Sequence, residues 1–180
     1  MLKLDKAALV VVDVQGKLAT LMHDKDQFFA NMVKMITGAQ ILELPILWNE
    51  QLPDKLGETI PEIKELLSDK LSPMIKSSFS CCGNSDFMAK LGNINRRQII
   101  LTGMETHICV YQTARDLLMA GYEVYLVTDC VSSRTLENKQ VGIKAMQNAG
   151  AKATSIETAL FELLEIAEGE KFKKIARLVK

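Results

Sequence analysis

The stretch LTGMETHICVYQTARDLL, residues 101–118, joins a strand pattern to a helix pattern through a short polar turn. An apolar run ends in Thr-Gly, and a few polar residues then turn the chain. Apolar residues recur at helical spacing after the turn and share one face: Val110, Ala114, Leu117 and Leu118. Gly121 is expected to end this helix. Cys109 falls in the predicted first turn, where it is either a small core residue or a reactive thiol.

Short apolar runs recur on both sides of this stretch and predict six strands. The clear runs lie at residues 8–13, 45–50, 98–103 and 123–129, with weaker ones at 71–76 and 153–155. The clear runs are apolar almost throughout, as strands buried on both faces are. Helical patterns separate the runs, which indicates parallel β-α-β units with right-handed crossovers. The expected fold is an α/β three-layer α/β/α sandwich with a doubly wound, six-stranded, mainly parallel sheet, in one domain of residues 1–180.

The amino-acid composition indicates which kinds of binding partner to expect. Lys+Arg and Asp+Glu are equal at 22 each, so no basic face for nucleic acid or an anionic membrane is expected. The apolar run AALVVVDV near the start is too short for a signal peptide, and no run has the length of a membrane-spanning helix. Four cysteines without C-x-x-C spacing argue against a zinc knuckle or a disulfide scaffold. We expect a cytoplasmic protein that acts on a small molecule.

Three residues of complementary chemistry fall at predicted strand ends. Asp13 ends the first strand, Lys76 ends the weak run at 71–76, and Cys109 follows the run at 98–103. Ligands of open α/β sheets bind outside the carboxyl ends of the strands, so these side chains are expected to share one edge. A reactive thiolate needs a base to take its proton and a cation or helix N-terminus to stabilise its charge. The three residue types fit that one chemistry.

Each of these residues also has a structural interpretation when it is taken alone. A strand-end Asp is often a turn former, a lone Lys is usually solvated, and a helical Cys is more often packing than nucleophile. His107 is a rival partner for Cys109, but residues two apart on a helix point to nearly opposite sides. The other histidine is expected to be exposed in a loop, and the remaining cysteines are expected to be structural: His23, Cys81, Cys82 and Cys130.

Three segments together resemble the isochorismatase-like, or cysteine hydrolase, superfamily. They are LVVVDVQGKL, the Lys76 that precedes SSFS, and LTGMETHICVYQTARDLLMAGYEVYLVTDCVSSRT. The order Asp, Lys, Cys along strand ends is specific to it, and the likeness covers nearly the whole chain. The segments WNEQLPDKLGETIPEI, KSSFSCC and the C-terminal TALFELLEIAEGEKFKKIARLVK are most similar to the isochorismatase domain-containing proteins.

The resemblance implies a role for each residue. Asp13 would be the general base, Cys109 the nucleophile, and Lys76 the cation that stabilises the thiolate and the developing charge. Backbone N–H groups of residues 104–109, including that of Cys109, would form the oxyanion hole. A non-proline cis peptide is expected between Met104 and Glu105. The possible substrate-pocket residues are Gln15, Phe79 and Thr106.

The sequence differs from two groups of relatives, and each difference makes the expected activity more specific. Nicotinamidases carry an Asp and two His as metal ligands after the second strand, whereas WNEQLPDKLGE, residues 48–58, contains no histidine. The carboxylates that remain, Glu50, Asp54 and Glu58, are a poor ligand set, so no metal or other cofactor is expected. True isochorismatases cleave a vinyl ether without needing the cysteine, whereas Cys109 points to acyl transfer through a thioester.

The leading hypothesis is therefore a metal-independent hydrolase of a small amide, imide or carbamoyl compound. The alternative is a binding or scaffold protein that keeps the fold but scarcely uses the chemistry. A homo-oligomer, dimer or higher, is also expected. That expectation rests partly on the resemblance and partly on an apolar band near the C-terminus: Leu160, Phe161, Leu163 and Leu164.

Overall fold

The computed structural model describes residues 1–180 and contains one six-stranded sheet with the order β3-β2-β1-β4-β5-β6. Every neighbouring pair of strands is parallel. The strands are β1 Ala7–Val12, β2 Ile46–Gln51, β3 Met74–Lys76, β4 Gln98–Met104, β5 Glu123–Ser132 and β6 Lys152–Thr154. The predicted doubly wound, six-stranded sheet is confirmed. The two weak runs correspond to the two edge strands, which have three residues each.

Helices cover both faces of this sheet. In chain order they are α1 Gly16–Ala19, α2 Lys25–Ile41, α3 Pro53–Leu56, α4 Pro61–Leu67, α5 Ser85–Ile94, α6 Tyr111–Met119, α7 Leu136–Asn148, α8 Ile156–Leu164 and α9 Gly169–Leu178. One hydrophobic core packs α2, α4, α8 and α9 against the sheet, and a second core packs α5, α6 and α7 against the opposite face. None of these helices has the length and apolar character needed to cross a bilayer.

The winding direction changes beside β1. The connection from β1 to β2 runs through α2 on one face, whereas the connection from β3 to β4 runs through α5 on the other. Strands β1 and β4 are neighbours in the sheet, so the switch in topology lies between them. The carboxyl ends at such a switch border a crevice, which is where open α/β sheets bind ligands.

Strands β1 and β4 approach closely at that crevice because residue 103 is a glycine. Gly103 has a φ of 134°, and a Cβ there would lie 2.2 Å from the backbone oxygen of Val12. The register between β4 and β5 also shifts between Leu101 and Gly103. A side chain at 103 would therefore push the two strands apart at the point where their ends meet.

The C-terminal apolar band is covered within the chain. Leu160 and Leu163 are buried in the core shared with α2 and α9, and Phe161 makes an edge-on contact with Phe172 of α9. The sequence could not show that α9 folds back over α8. The band is thus not a free surface, and this part of the argument for an oligomer was wrong.

Candidate active site

Asp13 lies directly after β1 and is the first residue to leave the sheet. Its φ is 52°, in the left-handed region, and its N–H donates to the carbonyl oxygen of Asn49 at 3.2 Å. Asp residues tolerate this conformation better than most. The side chain is buried, with Oδ2 paired and Oδ1 without a hydrogen-bond partner in the protein.

Lys76 ends β3 and reaches across the end of β2 to Asp13. Its Nζ lies 2.6 Å from Asp13 Oδ2, 3.2 Å from Gln51 Oε1, 2.9 Å from the carbonyl oxygen of Phe79 and 3.1 Å from that of Ser78. An ammonium group has three hydrogens to donate, so four oxygens saturate it. Lys76 therefore holds both the Asp13 carboxyl group and the loop that follows β3.

Cys109 lies in the turn between β4 and α6, residues 105–110, which we call the β4–α6 turn. Thr106–Val110 form a π-helical turn, and the Glu105 carbonyl accepts from the N–H groups of Ile108 at 2.8 Å and Val110 at 3.4 Å. Cys109 thus precedes the regular helix rather than lying in its first turn. Its side chain is buried, and Sγ lies 3.3 Å from Gln51 Oε1. Asp13 lies close enough for its negative charge to raise the pKa of the thiol.

Burial dominates the ionisation of this group of side chains. Burial, followed by the negative charge of Asp13, raises the pKa of the Cys109 thiol to about 12, although Lys76 opposes the shift. Burial also raises the pKa of Asp13 against the lowering effect of Lys76. Lys76 and the helix start are expected to lower the thiol's pKa and Asp13 to raise it, and loss of solvent adds to the effect of Asp13. The resting site therefore holds a protonated thiol beside a carboxyl group.

Gln51, the last residue of β2, was not predicted but lies at the centre of the site. Its Oε1 accepts from both Lys76 and Cys109. Its backbone is fixed by Gln15, which accepts from the Gln51 N–H at 2.7 Å and donates to the Gln51 carbonyl at 2.9 Å. Gln51 ends its strand as Lys76 does, so the strand-end argument that selected Lys76 would also have found it.

The three predicted pocket residues have different surroundings. Gln15 is buried and bonded to backbone on all sides, including the Gly57 carbonyl at 2.6 Å, so it positions Gln51. Thr106 is buried, and its hydroxyl has no partner in the protein. Phe79 has 53% of its surface exposed while its carbonyl binds Lys76. Of the three, only Phe79 presents its side chain to solvent.

The predicted cis peptide between Met104 and Glu105 was wrong, because the structure contains no cis peptide bond. Glu105 instead adopts a left-handed conformation, with φ 56° and ψ 62°. A single left-handed residue is enough to turn the chain from the strand into the π-helical turn. Met104 is buried at the end of β4.

The carboxylates at the end of β2 and after it do not converge. Glu50 accepts from the Thr59 N–H at 2.6 Å, Glu58 pairs with Lys64 at 2.6 Å, and Asp54 is exposed on α3. No group of three or more His, Cys, Asp or Glu side chains in the structure is placed to hold a metal ion.

His107 contacts Ser133 and Glu105 rather than Asp13: its Nδ1 lies 3.1 Å from Ser133 Oγ and 3.5 Å from Glu105 Oε2. Of the other thiols, Cys81 is close enough for the charges of Asp13 and Lys76 to act on its pKa, although burial has the larger effect. Cys81 and Cys130 are buried, and Cys82 is partly exposed with its pKa raised to about 11, mainly by burial. No pair of cysteines forms a disulfide.

A carboxyl group, an ammonium and a thiol at the switch point of a parallel sheet define an α/β protein built around a buried Asp-Lys-Cys site. Residues 7–158 match the model of the Isochorismatase domain. The chain belongs to the isochorismatase family, whose members are generally hydrolases.

Similar proteins cover most of the chain. A protein described as secreted isochorismatase effector Isc1 of Phytophthora sojae is 33% identical over 97% of this chain and 84% of its own length. Isochorismatase domain-containing protein 2 of Xenopus laevis is 33% identical over 96% of this chain and 83% of its own length. The solved structure of MAR1 ribonuclease from Caenorhabditis elegans has 33% identity and a TM-score of 0.93, covering 99% of this chain and 91% of that one.

Proposed function

We propose that this protein is a metal-independent cysteine hydrolase that cleaves a small amide, imide or carbamoyl compound through a Cys109 thioester. The observation that carries the proposal is a buried cluster in which the Cys109 thiol donates to Gln51 Oε1, and the Lys76 ammonium joins that same oxygen to the Asp13 carboxyl group. A carboxylate within reach of a thiol is the arrangement that general-base activation of a nucleophile requires.

The proposed reaction begins with proton transfer from Cys109 to Asp13. Sulfur then attacks the substrate carbonyl carbon, and the carbonyl π electrons move to oxygen. Backbone N–H groups of residues 104–109, other than that of Ile108, which donates to the Glu105 carbonyl, stabilise the oxyanion, since the first N–H groups of a helix lack intrahelical partners. When the tetrahedral intermediate collapses, the C–N bond breaks, and Asp13 returns its proton to the leaving nitrogen. Asp13 then deprotonates a water molecule, which attacks the thioester carbonyl; the C–S bond breaks, the acid is released, and Asp13 returns the proton to sulfur.

Lys76 and Gln51 have supporting parts in this proposal. Lys76 offsets the negative charge that passes between Asp13, sulfur and oxygen. Gln51 Nε2 makes only a long contact of 3.5 Å, to the Ser77 carbonyl, so this amide can still donate to a substrate. Phe79, exposed at the end of the loop that Lys76 holds, is proposed to contact the substrate's apolar part.

Activity is proposed to need no metal or cofactor, because the thiol supplies the nucleophile and Asp13 the base. Elemental analysis of protein never exposed to added metal, together with turnover in excess EDTA, tests this. Stoichiometric zinc, iron or manganese with loss of turnover on chelation would contradict it.

A panel of small amides, imides and carbamoyl compounds tests the function itself. Wild-type protein should release the amine or ammonia from at least one compound. Cys109→Ala should abolish that release, and Cys82→Ala should leave it unchanged. Turnover that survives in Cys109→Ala would remove the thioester mechanism.

The alternative function is a binding or scaffold protein that retains the site without using it. It predicts that small amides bind without chemical change and that Cys109 never carries an acyl group. The same panel, followed by mass spectrometry of the protein, separates the two functions.

The similar Caenorhabditis elegans structure is described as a ribonuclease, so RNA is a substrate class to test. We propose that this chain does not act on nucleic acid, because its 22 basic and 22 acidic residues give no overall positive charge for a phosphate backbone. Cleavage of single-stranded RNA that Cys109→Ala abolishes would contradict this.

A homo-oligomer and a cytoplasmic location are proposed as well. The family resemblance supports self-association, and four free cysteines fit a reducing compartment. One relative is described as secreted, so the location needs its own test by fractionation. A monomer by light scattering at micromolar concentration would contradict the oligomer.

A further inference from the structure

The β4–α6 turn is attached to the segment after β5 by an ion pair. Glu105 Oε1 lies 3.0 Å from Arg134 Nε, and the Glu105 side chain is only 7% exposed, whereas that of Arg134 is 50% exposed. Glu105 Oε2 has no hydrogen-bond partner and lies 3.5 Å from His107 Nδ1. The contact between His107 and Ser133 makes a second attachment to the same segment.

Helix α7 packs against the β4–α6 turn from another side and restricts its movement. Gly142 packs so closely on it that a Cβ would lie 2.6 Å from the carbonyl carbon of Thr106 and 2.7 Å from the backbone nitrogen of His107. Left-handed backbone at a residue other than glycine persists only where surrounding contacts impose it. The contacts of Arg134, Ser133 and Gly142 impose it at Glu105, four residues before Cys109.

The left-handed conformation of residue 105 does not explain why that residue is a glutamate. Glycine would adopt φ 56° without strain, whereas this chain places a buried carboxylate there. A buried carboxylate beside a thiol opposes thiolate formation, and Glu105 contributes in that direction to the raised pKa of Cys109. The ionisable groups facing the thiol are Asp13 from β1, Lys76 from β3 and Glu105 from the turn itself. Arg134 is the cation paired with Glu105.

We propose that Glu105 and Arg134 are positioning residues for Cys109: Glu105 anchors the β4–α6 turn, and Arg134 neutralises that anchor so that the thiolate can form beside it. This inference rests on the proposed role of Cys109 as the nucleophile. Neither residue needs to touch the substrate. Asp13 takes up and returns protons during the proposed reaction, whereas the charges of Glu105 and Arg134 stay fixed.

The rate of Cys109 alkylation by iodoacetamide at a fixed pH of about 9 tests this inference without any substrate, because only the thiolate reacts. Trypsin cuts after Arg97 and Arg115, so Cys109 is the only cysteine in the peptide of residues 98–115, and its labelling can be followed by mass spectrometry. The variants are Arg134→Ala, Arg134→Lys and Glu105→Gln. Lys152→Ala is the matched control, since it removes a half-exposed cation paired with Glu123. That pair lies at the amino ends of β5 and β6, whereas Cys109 follows the carboxyl end of β4.

We expect Arg134→Ala to slow Cys109 alkylation by about threefold, because it leaves Glu105 uncompensated and so raises the thiol pKa by roughly half a unit. Arg134→Lys should restore the rate, Glu105→Gln should increase it, and Lys152→Ala should leave it unchanged. An unchanged rate in Arg134→Ala, or changes of the same sign in Arg134→Ala and Glu105→Gln, would overturn the inference. If Arg134→Ala does not fold, Arg134→Gln removes the charge while keeping a donor and is judged by the same outcomes.

The result separates this inference from the proposed function. If the alkylation rates follow the expected pattern and no amide is hydrolysed, the positioning role stands and the hydrolase proposal fails. If Cys109 acylates and turns over but the rates do not respond to residues 105 and 134, the hydrolase proposal stands and this inference fails.

Discussion

Lys76 Nζ lies 2.6 Å from Asp13 Oδ2, and the two side chains are 0% and 5% exposed. The pair joins the ends of β3 and β1 across β2, which lies between them in the sheet. Burying two charges costs free energy, and an apolar pair of similar volume generally stabilises a fold as well or better. A gain in stability therefore does not explain why this pair is buried. The proposed chemistry does, because it needs both charges beside Cys109.

Breaking that pair on one side should be costly. Lys76→Met leaves the Asp13 carboxyl buried without its cation, so the free energy of unfolding should fall by about 3–5 kcal/mol in urea titrations. The double variant Asp13→Asn/Lys76→Met should lose less than the sum of the single losses.

The matched control for this cycle is Lys152→Met, whose pair with Glu123 has the same 2.6 Å separation but is half exposed. Solvent screening should limit its cost to about 1 kcal/mol or less. Equal losses of unfolding free energy in Lys76→Met and Lys152→Met would show that burial does not increase the cost of breaking the Asp13–Lys76 pair. Additive losses in the double variant would show that the two side chains are not coupled.

The effects of Asp13→Asn on thiol reactivity and on turnover should have opposite signs. The Asp13 charge raises the pKa of Cys109, so its removal should lower that pKa. Cys109 alkylation should then become roughly tenfold faster for each unit by which the thiol pKa falls. Turnover should be lost, because no base remains to take the proton and return it to the leaving nitrogen. Cys82, in a different tryptic peptide, is the internal control. Slower Cys109 alkylation in Asp13→Asn would count against the electrostatic account.

The strand-end argument predicted much of this arrangement. Four apolar runs are enough to place the central strands, and ligand binding at strand ends selects Asp13, Lys76 and Cys109. Gln51 also ends a strand, so the same rule of ligand binding at strand ends covers it. A resting thiol beside the Asp13 carboxyl group follows from the charge of Asp13, but the sequence could not show that burial would be the larger cause, since desolvation depends on all the packing around a residue.

Helix α7 illustrates another limit of sequence patterns. The helical spacing of Val141, Ala145, Met146 and Ala149 predicts that they share the buried face of α7, yet Val141 and Ala149 are exposed. Gly142 is buried instead, because its lack of a side chain lets the helix pack closely against the β4–α6 turn. Hydrophobic periodicity does not detect a glycine chosen for close contact.

Gly142→Ala should therefore disturb the site from a distance. The new Cβ would meet backbone atoms of Thr106 and His107, so the turn that carries Cys109 must shift or the helix must move away. We expect turnover to fall by about tenfold or more and thermal stability to decrease, as overpacking typically costs about 1–3 kcal/mol. Gly92→Ala in α5, whose Cβ would meet no atom within 4 Å, is the control and should be neutral or stabilising. Equal behaviour of the two variants would contradict the close-packing argument.

The pH dependence of Cys109 labelling should follow from its raised pKa. Below a pKa of about 12, each unit of pH increases the thiolate fraction about tenfold, so the alkylation rate should climb steadily between about pH 7 and 10. Glutathione in the same samples, with an ordinary thiol pKa of about 8.5, should level off within that range. A Cys109 rate that reaches a plateau by about pH 8 would indicate a thiolate paired with Lys76 at rest.

Acylation of Cys109 is the most direct test of the central claim, and an activated ester such as p-nitrophenyl acetate permits it before the native substrate is known. Protein quenched in acid during turnover is analysed by intact-mass and tryptic-peptide mass spectrometry. The account predicts one acetyl group on the peptide of residues 98–115 in wild type and in Cys82→Ala, and none on that peptide in Cys109→Ala, which should also lose ester turnover. Undiminished turnover in Cys109→Ala, with no acetyl group on the wild-type peptide, would contradict it and leave Cys109 as a packing residue.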